Sequence, residues 1–359
     1  MKRILCILSS LDAGGAETFL MKVYRALDLN EYQMDFVVSV DGGCYTKEVL
    51  DRGGRIYKIP ERTKDFFGAF KGIKKAVKEN CYDTVLKLAE NSLSVTDMIA
   101  AKSGGAKNLA VRSCNAPTNL SLKDKILHYS LRPLLNLVST VKLAPSDLAG
   151  EFMFGKKSKC HIINNGVDLD FFRFDEEEKE RIRKEFGIEN KLLVGHVGRY
   201  TRQKNHEFLL NVFSEIAKKR EDAVLLLVGK GELEDDIKKR IDELQLKDKV
   251  ILTGQRFDIP QLLSAMDVFV FPSFFEGMPN TVIEAQATGL PCVIADTITK
   301  EADITGLVKY LTLEKSPESW ADAALKCAEE KRRCTKEDFR KHGYDIKSVA
   351  ENLLKLICK

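Results

Sequence analysis

The stretch Phe271–Ala295, FPSFFEGMPNTVIEAQATGLPCVIA, holds the residue types and spacing best suited to chemistry in this chain. The apolar run Val268–Phe271 ends in a Pro-Ser turn. Glu276 and Gly277 follow, and Met278, Pro279, Asn280 and Thr281 open a helix with Glu284 just inside it. The first N–H groups of a helix lack intrahelical acceptors and point outward, an arrangement that binds phosphate. Carboxylates in that place cannot be phosphate ligands and must hold hydroxyl groups attached to the phosphate. With 53 acidic residues in the chain, the Glu276–Glu284 spacing alone says little. Their placement across a helix start says more. Pro279 suits a first helical position, and Glu284, about one turn in, can accept from two vicinal hydroxyls. Phosphate flanked by hydroxyls implies a sugar nucleotide.

A second constellation lies upstream. Gly195-His196-Val197-Gly198-Arg199 ends a strand and Lys204-Asn205 opens the next helix, so Arg199 and Lys204 can converge on one anion, a diphosphate by preference. A solvated pair of surface cations is the plain alternative. Gly14 and Gly15, between the first strand and its helix, let backbone approach a ligand or merely let the chain turn. Gly229-Lys230-Gly231 lacks the third glycine of a dinucleotide fingerprint, Glu234 standing there, and reads as a tight βα turn that disfavours an oxidoreductase. Asp168-Leu169-Asp170 resembles a metal-holding DxD but falls in an expected linker, so no metal is expected. His196 reads as a packed strand-end residue, and nothing calls for a cofactor.

These residues need a scaffold that repeats strand and helix. Strand-length apolar runs near 3–8, 34–40, 55–58, 83–88, 108–112 and 140–144 alternate with helical patterns near 16–27, 65–79, 93–103, 121–138 and 146–154. After a break at 163–180 the alternation restarts, with strands near 192–197, 223–228, 250–252, 267–271 and 291–295. Helices near 203–219, 232–244, 258–265 and 279–288 separate them, and 316–358 reads as helical throughout. The expected class is α/β, with two doubly wound Rossmann-like domains facing a cleft and ligands beyond the carboxyl ends of the strands.

At 359 residues two domains are the default. The N-terminal apolar run is too short for a signal peptide or a span. Nine scattered cysteines without a CxxC pair suggest neither disulfides nor zinc, and are expected to be mostly small core residues of a cytosolic protein. Net charge is +4, but residues 1–160 carry +8 and the remainder −4, so the halves are expected to meet different partners. Two basic amphipathic segments lie in the first half. In 64–78, Phe66, Phe70, Ile73 and Val77 recur among lysines; in 122–138, Leu127, Leu131, Leu134 and Val138 recur beside Lys123, Lys125 and Arg132. Each is either a core-facing stripe with a solvated basic face or a docking element for an anionic membrane surface. Nothing points to nucleic acid.

Taken together, GGAE at 14–17, NNGVD at 164–168, GHVGRYTRQKNH at 195–206, LLLVGKGEL at 225–233, the 266–296 segment and ITKEADITGLVKYL at 298–311 resemble GT-B glycosyltransferases of family 4, the group 1 enzymes. The nearest type is that of capsular and exopolysaccharide assembly. The resemblance implies an acceptor-binding domain at 1–165, a nucleotide-sugar domain at 166–340 and a last helix, 341–359, crossing back to the first domain. It also implies donor contacts from Gly14, Gly15, Gly198 and Gly277–Thr281. Arg199 and Lys204 would neutralise the leaving diphosphate, Glu276 would bind the donor sugar and Glu284 the ribose, with anomeric retention. Relatives often carry acceptor-side histidines where this chain has Glu90, Asn91, Arg112 and Asn115, the residues expected to replace them.

The expected activity is metal-independent transfer of a hexose-type sugar from UDP to a lipid-linked oligosaccharide or polysaccharide intermediate at the cytoplasmic membrane face. A nucleotide-sugar epimerase of the same fold and a catalytically silent sugar-nucleotide-binding partner subunit are the alternatives.

Overall fold

The computed structural model describes residues 1–12, 14–114 and 121–358. The chain forms two compact units, the first from Met1–Gly166 and Gly343–Lys359, the second from Val167–His342.

In the first unit, strands β1 (Lys2–Ile7), β2 (Tyr32–Val38) and β3 (Ile56–Lys58) alternate with helices α1 (Gly15–Arg25) and α2 (Thr46–Asp51). Then come α3 (Phe66–Asn80), β4 (Thr84–Ala89), α4 (Val95–Gly104), β5 (Asn108–Ser113), α5 (Leu122–Val138), β6 (Val141–Ala144), α6 (Asp147–Phe154) and the short β7 (His161–Ile162). The sheet runs β3-β2-β1-β4-β5-β6-β7 with every pairing parallel. Strands buried on both faces must be largely apolar on both, which is why β1 reads as a continuous run and β4 as one broken only by Lys87, while β2 buries Gln33 and Asp35 among its apolar residues. One face packs Ile4, Cys6 and Phe36 against α1; the other packs Leu5, Val37 and Val85 against α3, α4 and α5.

In the second unit, α7 (Glu176–Phe186) precedes β8 (Leu192–Val197), α8 (His206–Lys219), β9 (Ala223–Val228), α9 (Glu234–Glu243) and β10 (Val250–Gly254). They are followed by α10 (Ile259–Ala265), β11 (Val268–Phe271), α11 (Asn280–Ala287), β12 (Cys292–Ala295), β13 (Val308–Leu311), α12 (Pro317–Ala328) and α13 (Lys336–Lys341). This sheet is also wholly parallel, ordered β10-β9-β8-β11-β12-β13. The last helix, α14 (Ile346–Ile357), belongs to the first unit. Val349, Leu353 and Ile357 join the core beside α1, and Gly166 lies so close to α14 that a Cβ there would sit 2.9 Å from the Ile346 Cα.

Several elements differ from the sequence expectation. Segment 316–358 is three helices, not one, broken at 329–335 and at Gly343, whose φ is +71°. Helices α2 and α7 and strands β7 and β13 were not expected: α7 averages strongly polar, β7 is only two exposed residues, and β13 is a four-residue run broken by the exposed Lys309. Only Cys6, Cys292 and Cys327 of the nine free cysteines are buried, so most are not core residues. Among the described residues no helix is long and apolar enough to cross a membrane.

Candidate active site

A parallel sheet leaves a crevice where chain order reverses, because the loops after the two central strands leave toward opposite faces. In the second unit that point lies between β8 and β11. The loop after β8 carries Arg199 and Lys204; the loop after β11 carries Glu276 and Gly277. The two are stitched together. The Phe274 N–H donates to the Gln203 carbonyl at 2.9 Å, Gln203 Nε2 donates to the Phe275 carbonyl at 2.9 Å, and Asn205 Nδ2 donates to the Pro272 carbonyl at 3.2 Å. Lys204 Nζ closes the set on Glu276 Oε1 at 2.5 Å, with the two side chains only 17% and 11% exposed. Lys204 also lies 4.7 Å over the Phe271 ring, so apolar surface and one carboxylate hold the ammonium in place.

The local sequence explains the geometry. Lys204 ends a 3-10 turn, Arg202–Lys204, and does not open the helix as expected. Asn205 enters the left-handed region (φ +56°), which Asn tolerates better than most residues, and α8 starts at His206. Gly229 (φ +147°) and Gly231 press against the Gly198 and Tyr200 carbonyls, where a Cβ would collide. That confirms the GxG as a packing turn. His196 is fully enclosed, donates Nδ1–H to the Val270 carbonyl at 2.9 Å and lies parallel to Phe271. Burial pushes its pKa well below the ordinary range, and burial together with Lys204 pushes that of His206 down to about 4. Both imidazoles are therefore neutral near pH 7, and the cationic groups of the loop after β8 are Arg199, Arg202 and Lys204. Arg199 is exposed and makes no ion pair with any described residue.

Helix α11 begins at Asn280 with Pro279 as its N-cap, one residue later than expected. The Val282 and Ile283 N–H groups of its first turn donate to the Pro279 carbonyl at 3.1 and 3.2 Å, so the Thr281 N–H is the one that precedes the helical ladder. Thr281 lies in that turn; Glu284 follows it and is nearly enclosed. Gly277 is exposed, and a Cβ there would meet no described atom within 4 Å. Its φ is not in the left-handed region, so the fold itself does not require glycine at this position.

The first unit has its own reversal, between β1 and β4. Gly14 caps α1, Gly15 is its first residue, and a Cβ on Gly15 would likewise meet open space. A cavity of about 200 Å³ at these strand ends is lined in part by Glu17, Arg62, Lys87, Glu90, Asn91 and Asp97. Arg62 pairs with Asp97 at 2.6 Å and Lys87 with the same carboxylate at 3.0 Å. Glu17 is pushed above the usual carboxylate range by burial and by Glu90 and Asp12, against the pull of Lys87. Glu17, Arg62, Lys87 and Asp97 were missed from sequence. The available signal was Lys87, a lone cation inside the otherwise apolar strand TVLKLA.

The acceptor-side expectations divide. Glu90 and Asn91 line the cavity, although the Asn91 side chain also accepts from the Leu93 N–H at 3.0 Å. Arg112 is corrected: it is 1% exposed, stacks 3.6 Å over the Phe19 ring and donates to the Ile163 carbonyl and Asn165 Oδ1. It braces the sheet, because the outward end of β5 is covered by α1 and the 163–165 segment. Asn115 lies outside the described residues. The Asp168-Leu169-Asp170 pair is used locally: Asp168 Oδ1 accepts from the Asp170 and Phe171 N–H groups, and Asp170 pairs with Lys336 at 2.8 Å. Among the described residues no cluster of three or more His, Cys, Asp or Glu is placed to hold a metal.

Residues 191–330 match the family profile "Glycosyl transferases group 1". EpsF of Bacillus subtilis (strain 168), itself named as a glycosyltransferase, is 32% identical over 369 aligned positions, which cover 98% of this chain and 95% of EpsF. A UDP-Gal:alpha-D-GlcNAc-diphosphoundecaprenol alpha-1,3-galactosyltransferase of Escherichia coli is 39% identical over 142 positions, 38% of this chain and 37% of that enzyme. Among solved structures, Anabaena Alr3699/HepE in complex with UDP-glucose superposes with a TM-score of 0.75 at 18% identity, covering 99% of this chain and 96% of that one. A Rickettsia africae glycosyltransferase reaches 0.80 at 19% identity, covering 99% and 97%. These structures share the fold of paired parallel sheets, GT-B. On the full-length identity to EpsF, the chain belongs to the group 1 glycosyltransferases.

Proposed function

We propose that this chain moves a hexose-type sugar from UDP to a lipid-linked oligosaccharide or polysaccharide intermediate in capsule or exopolysaccharide assembly, with retention of anomeric configuration and without a metal ion. The carrying observation is the Lys204–Glu276 pair, which puts one cation and one carboxylate side by side at the switch point beside a helix start. In this reading the diphosphate lies against Lys204, Arg199 and the Thr281 N–H at the start of α11. Glu276 accepts from hydroxyls of the donor sugar and Glu284 from the ribose. Gly198 and Gly277–Thr281 let backbone come close to the donor.

The chemistry asked of these groups is charge stabilisation. As the anomeric C–O bond to the diphosphate breaks, negative charge grows on the leaving oxygen. The acceptor oxygen forms its bond on the same face, and its proton passes to the departing diphosphate. Fixed donors in a site poor in water stabilise that charge without having to reorganise. Lys204 is held by Glu276, by the Phe271 ring and by a stitched loop, so its position is set before the donor arrives.

The UDP donor is supported by the uridine nucleotides named for HepE and the Escherichia coli galactosyltransferase, and the lipid-linked acceptor by the diphosphoundecaprenol in the latter's name. Glu90 and Asn91, with the Lys87–Asp97–Arg62 set, are the groups assigned to the acceptor side. The test is to supply a panel of nucleoside diphosphate sugars with and without polyprenyl-diphosphate-linked glycans, with and without chelator. Glycan extension from one UDP-sugar, with an α-linked product from an α-donor and full rate in chelator, is expected. Epimerised donor in the absence of acceptor, an inverted product, or loss of activity with chelator would each overturn the corresponding part.

A further inference from the structure

For helix α5, one of the two readings turned Leu127, Leu131, Leu134 and Val138 toward the core and the other toward a membrane surface. Only Val138 of these is fully buried, and the helix is held to the unit by His128, Leu135 and Val138. Opposite that face runs a second apolar stripe, Leu122, Ile126, Tyr129, Pro133 and Leu137, at spacings of four, three, four and four. Its large members are open to solvent: Leu122 is 76% exposed, Ile126 63%, Tyr129 50% and Leu137 81%. A helix on the outside of a soluble unit normally keeps charged residues on this face. Contiguous exposed apolar surface of this kind marks a place of contact.

The neighbouring charges say with what. Lys125 and Arg132 flank the stripe on one side and Lys123 on the other, and Lys156 and Lys157 follow α6. None of these five cations is in an ion pair with a described residue. Tyr129 and Pro133 continue from the stripe into a cavity of about 830 Å³, whose rim holds Arg132, Lys156, Lys157 and the exposed Leu148. Residues 122–157 carry six Lys or Arg against three Asp or Glu. An apolar strip with unpaired cations on both margins matches the boundary between anionic headgroups and acyl chains. A second copy of this chain would present the same cations to them and is disfavoured. By contrast α3 resolves to the plain reading, with Ile73 and Val77 in the core.

We propose that the α5–α6 face of the first unit docks on an anionic lipid bilayer, with the Leu122–Leu137 stripe lying in the interface and Arg132, Lys156 and Lys157 taking lipid phosphates. At 17 residues α5 is about 25 Å long, enough to lie in the membrane plane. The inference deepens the lipid-linked acceptor reading but stands on this surface alone. A chain that binds vesicles and not UDP would leave it intact and sink the other.

Co-sedimentation of the full chain with phosphatidylcholine vesicles, with and without phosphatidylglycerol, is the test. Binding is expected to the anionic vesicles and to be at least about tenfold weaker to the neutral ones. Ile126→Ser with Leu137→Ser should reduce it by at least about tenfold. Lys156→Gln and Lys157→Gln should cost about fivefold each and make the remainder less salt-sensitive. Phe257→Ser, at an equally exposed apolar residue of the second unit, should change nothing. The thermal shift with UDP, unaltered in every variant, excludes misfolding. Absence of wild-type binding, equal binding by the stripe variants, or a stripe whose loss dissociates an oligomer and leaves sedimentation unchanged would overturn the proposal.

Discussion

Replacing Glu276 by Gln is expected to move nucleotide binding and sugar transfer in opposite directions. In the fold Lys204 Nζ sits 2.5 Å from Glu276 Oε1, both side chains being largely enclosed. A diphosphate approaching Lys204 thus meets the carboxylate as well as the cation. For a phosphate oxygen about 5 Å from that carboxylate, at an effective dielectric near 20, the repulsion is at most about 3 kcal/mol. Water access and relaxation of the lysine reduce this to about 1 kcal/mol, so Glu276→Gln should bind UDP about fivefold more tightly. The same change removes a charged acceptor for the sugar hydroxyls. If that contact strengthens as the anomeric bond opens, turnover falls by about 10²–10³. Calorimetric titration with UDP and turnover of a labelled UDP-sugar measure the two effects in one preparation. Weaker UDP binding by Glu276→Gln would refute the electrostatic reasoning, and unaltered turnover would refute the assigned role. Lys204→Gln has no such split, and both quantities should fall together.

The remaining expectations concern residues whose surroundings are equally well defined. Gly277→Ala and Gly15→Ala meet no steric obstacle in the described fold, so each should leave the unfolding midpoint within about 1 °C and weaken UDP-sugar binding by tenfold or more; a large drop in midpoint would contradict this. Arg199→Ala should weaken UDP binding about tenfold with no loss of stability, since the arginine is exposed and has no ion-pair partner among the described residues to strand. Because burial depresses His206 to about 4, the unfolded chain takes up a proton that the folded one refuses as pH falls below about 6.5. The stabilisation present above that pH is lost between about 6.5 and 4; His206 accounts for about 3 kcal/mol of this, a share that His206→Phe should remove in a series of thermal melts while the loss from buried His196 persists. Arg112→Leu should lower stability by several degrees through the lost Phe19 and Asn165 contacts without a selective rise in the acceptor KM.

Much of the fold was legible because parallel strands buried on both faces leave unbroken apolar runs, such as AVLLLV at β9 and VFVF at β11. What escaped was short or polar. Helix α7 is held by its Asp175 cap and by Arg183, which reaches the Ala265 carbonyl and Asp267, contacts that no local pattern encodes. At the site, the residue types on the two loops of the second unit were readable from order and spacing. The direct pairing of Lys204 with Glu276, 72 positions apart, was not: sequence separates what the switch point joins. Arg112 misled for the complementary reason. A cation at a strand end looks available until α1 and the 163–165 segment are folded over it. The outward stripe of α5 was hidden by the inward one, because a helix apolar on two sides has no single periodic maximum.

Crystals of the chain grown with a UDP-sugar would test the central assignment most directly. The diphosphate should lie within hydrogen-bond distance of Lys204 Nζ, the Arg199 guanidinium and the Thr281 N–H, with a sugar hydroxyl on Glu276. A nucleotide bound elsewhere, with Lys204 and Glu276 still closed on each other and no phosphate beside them, would contradict it.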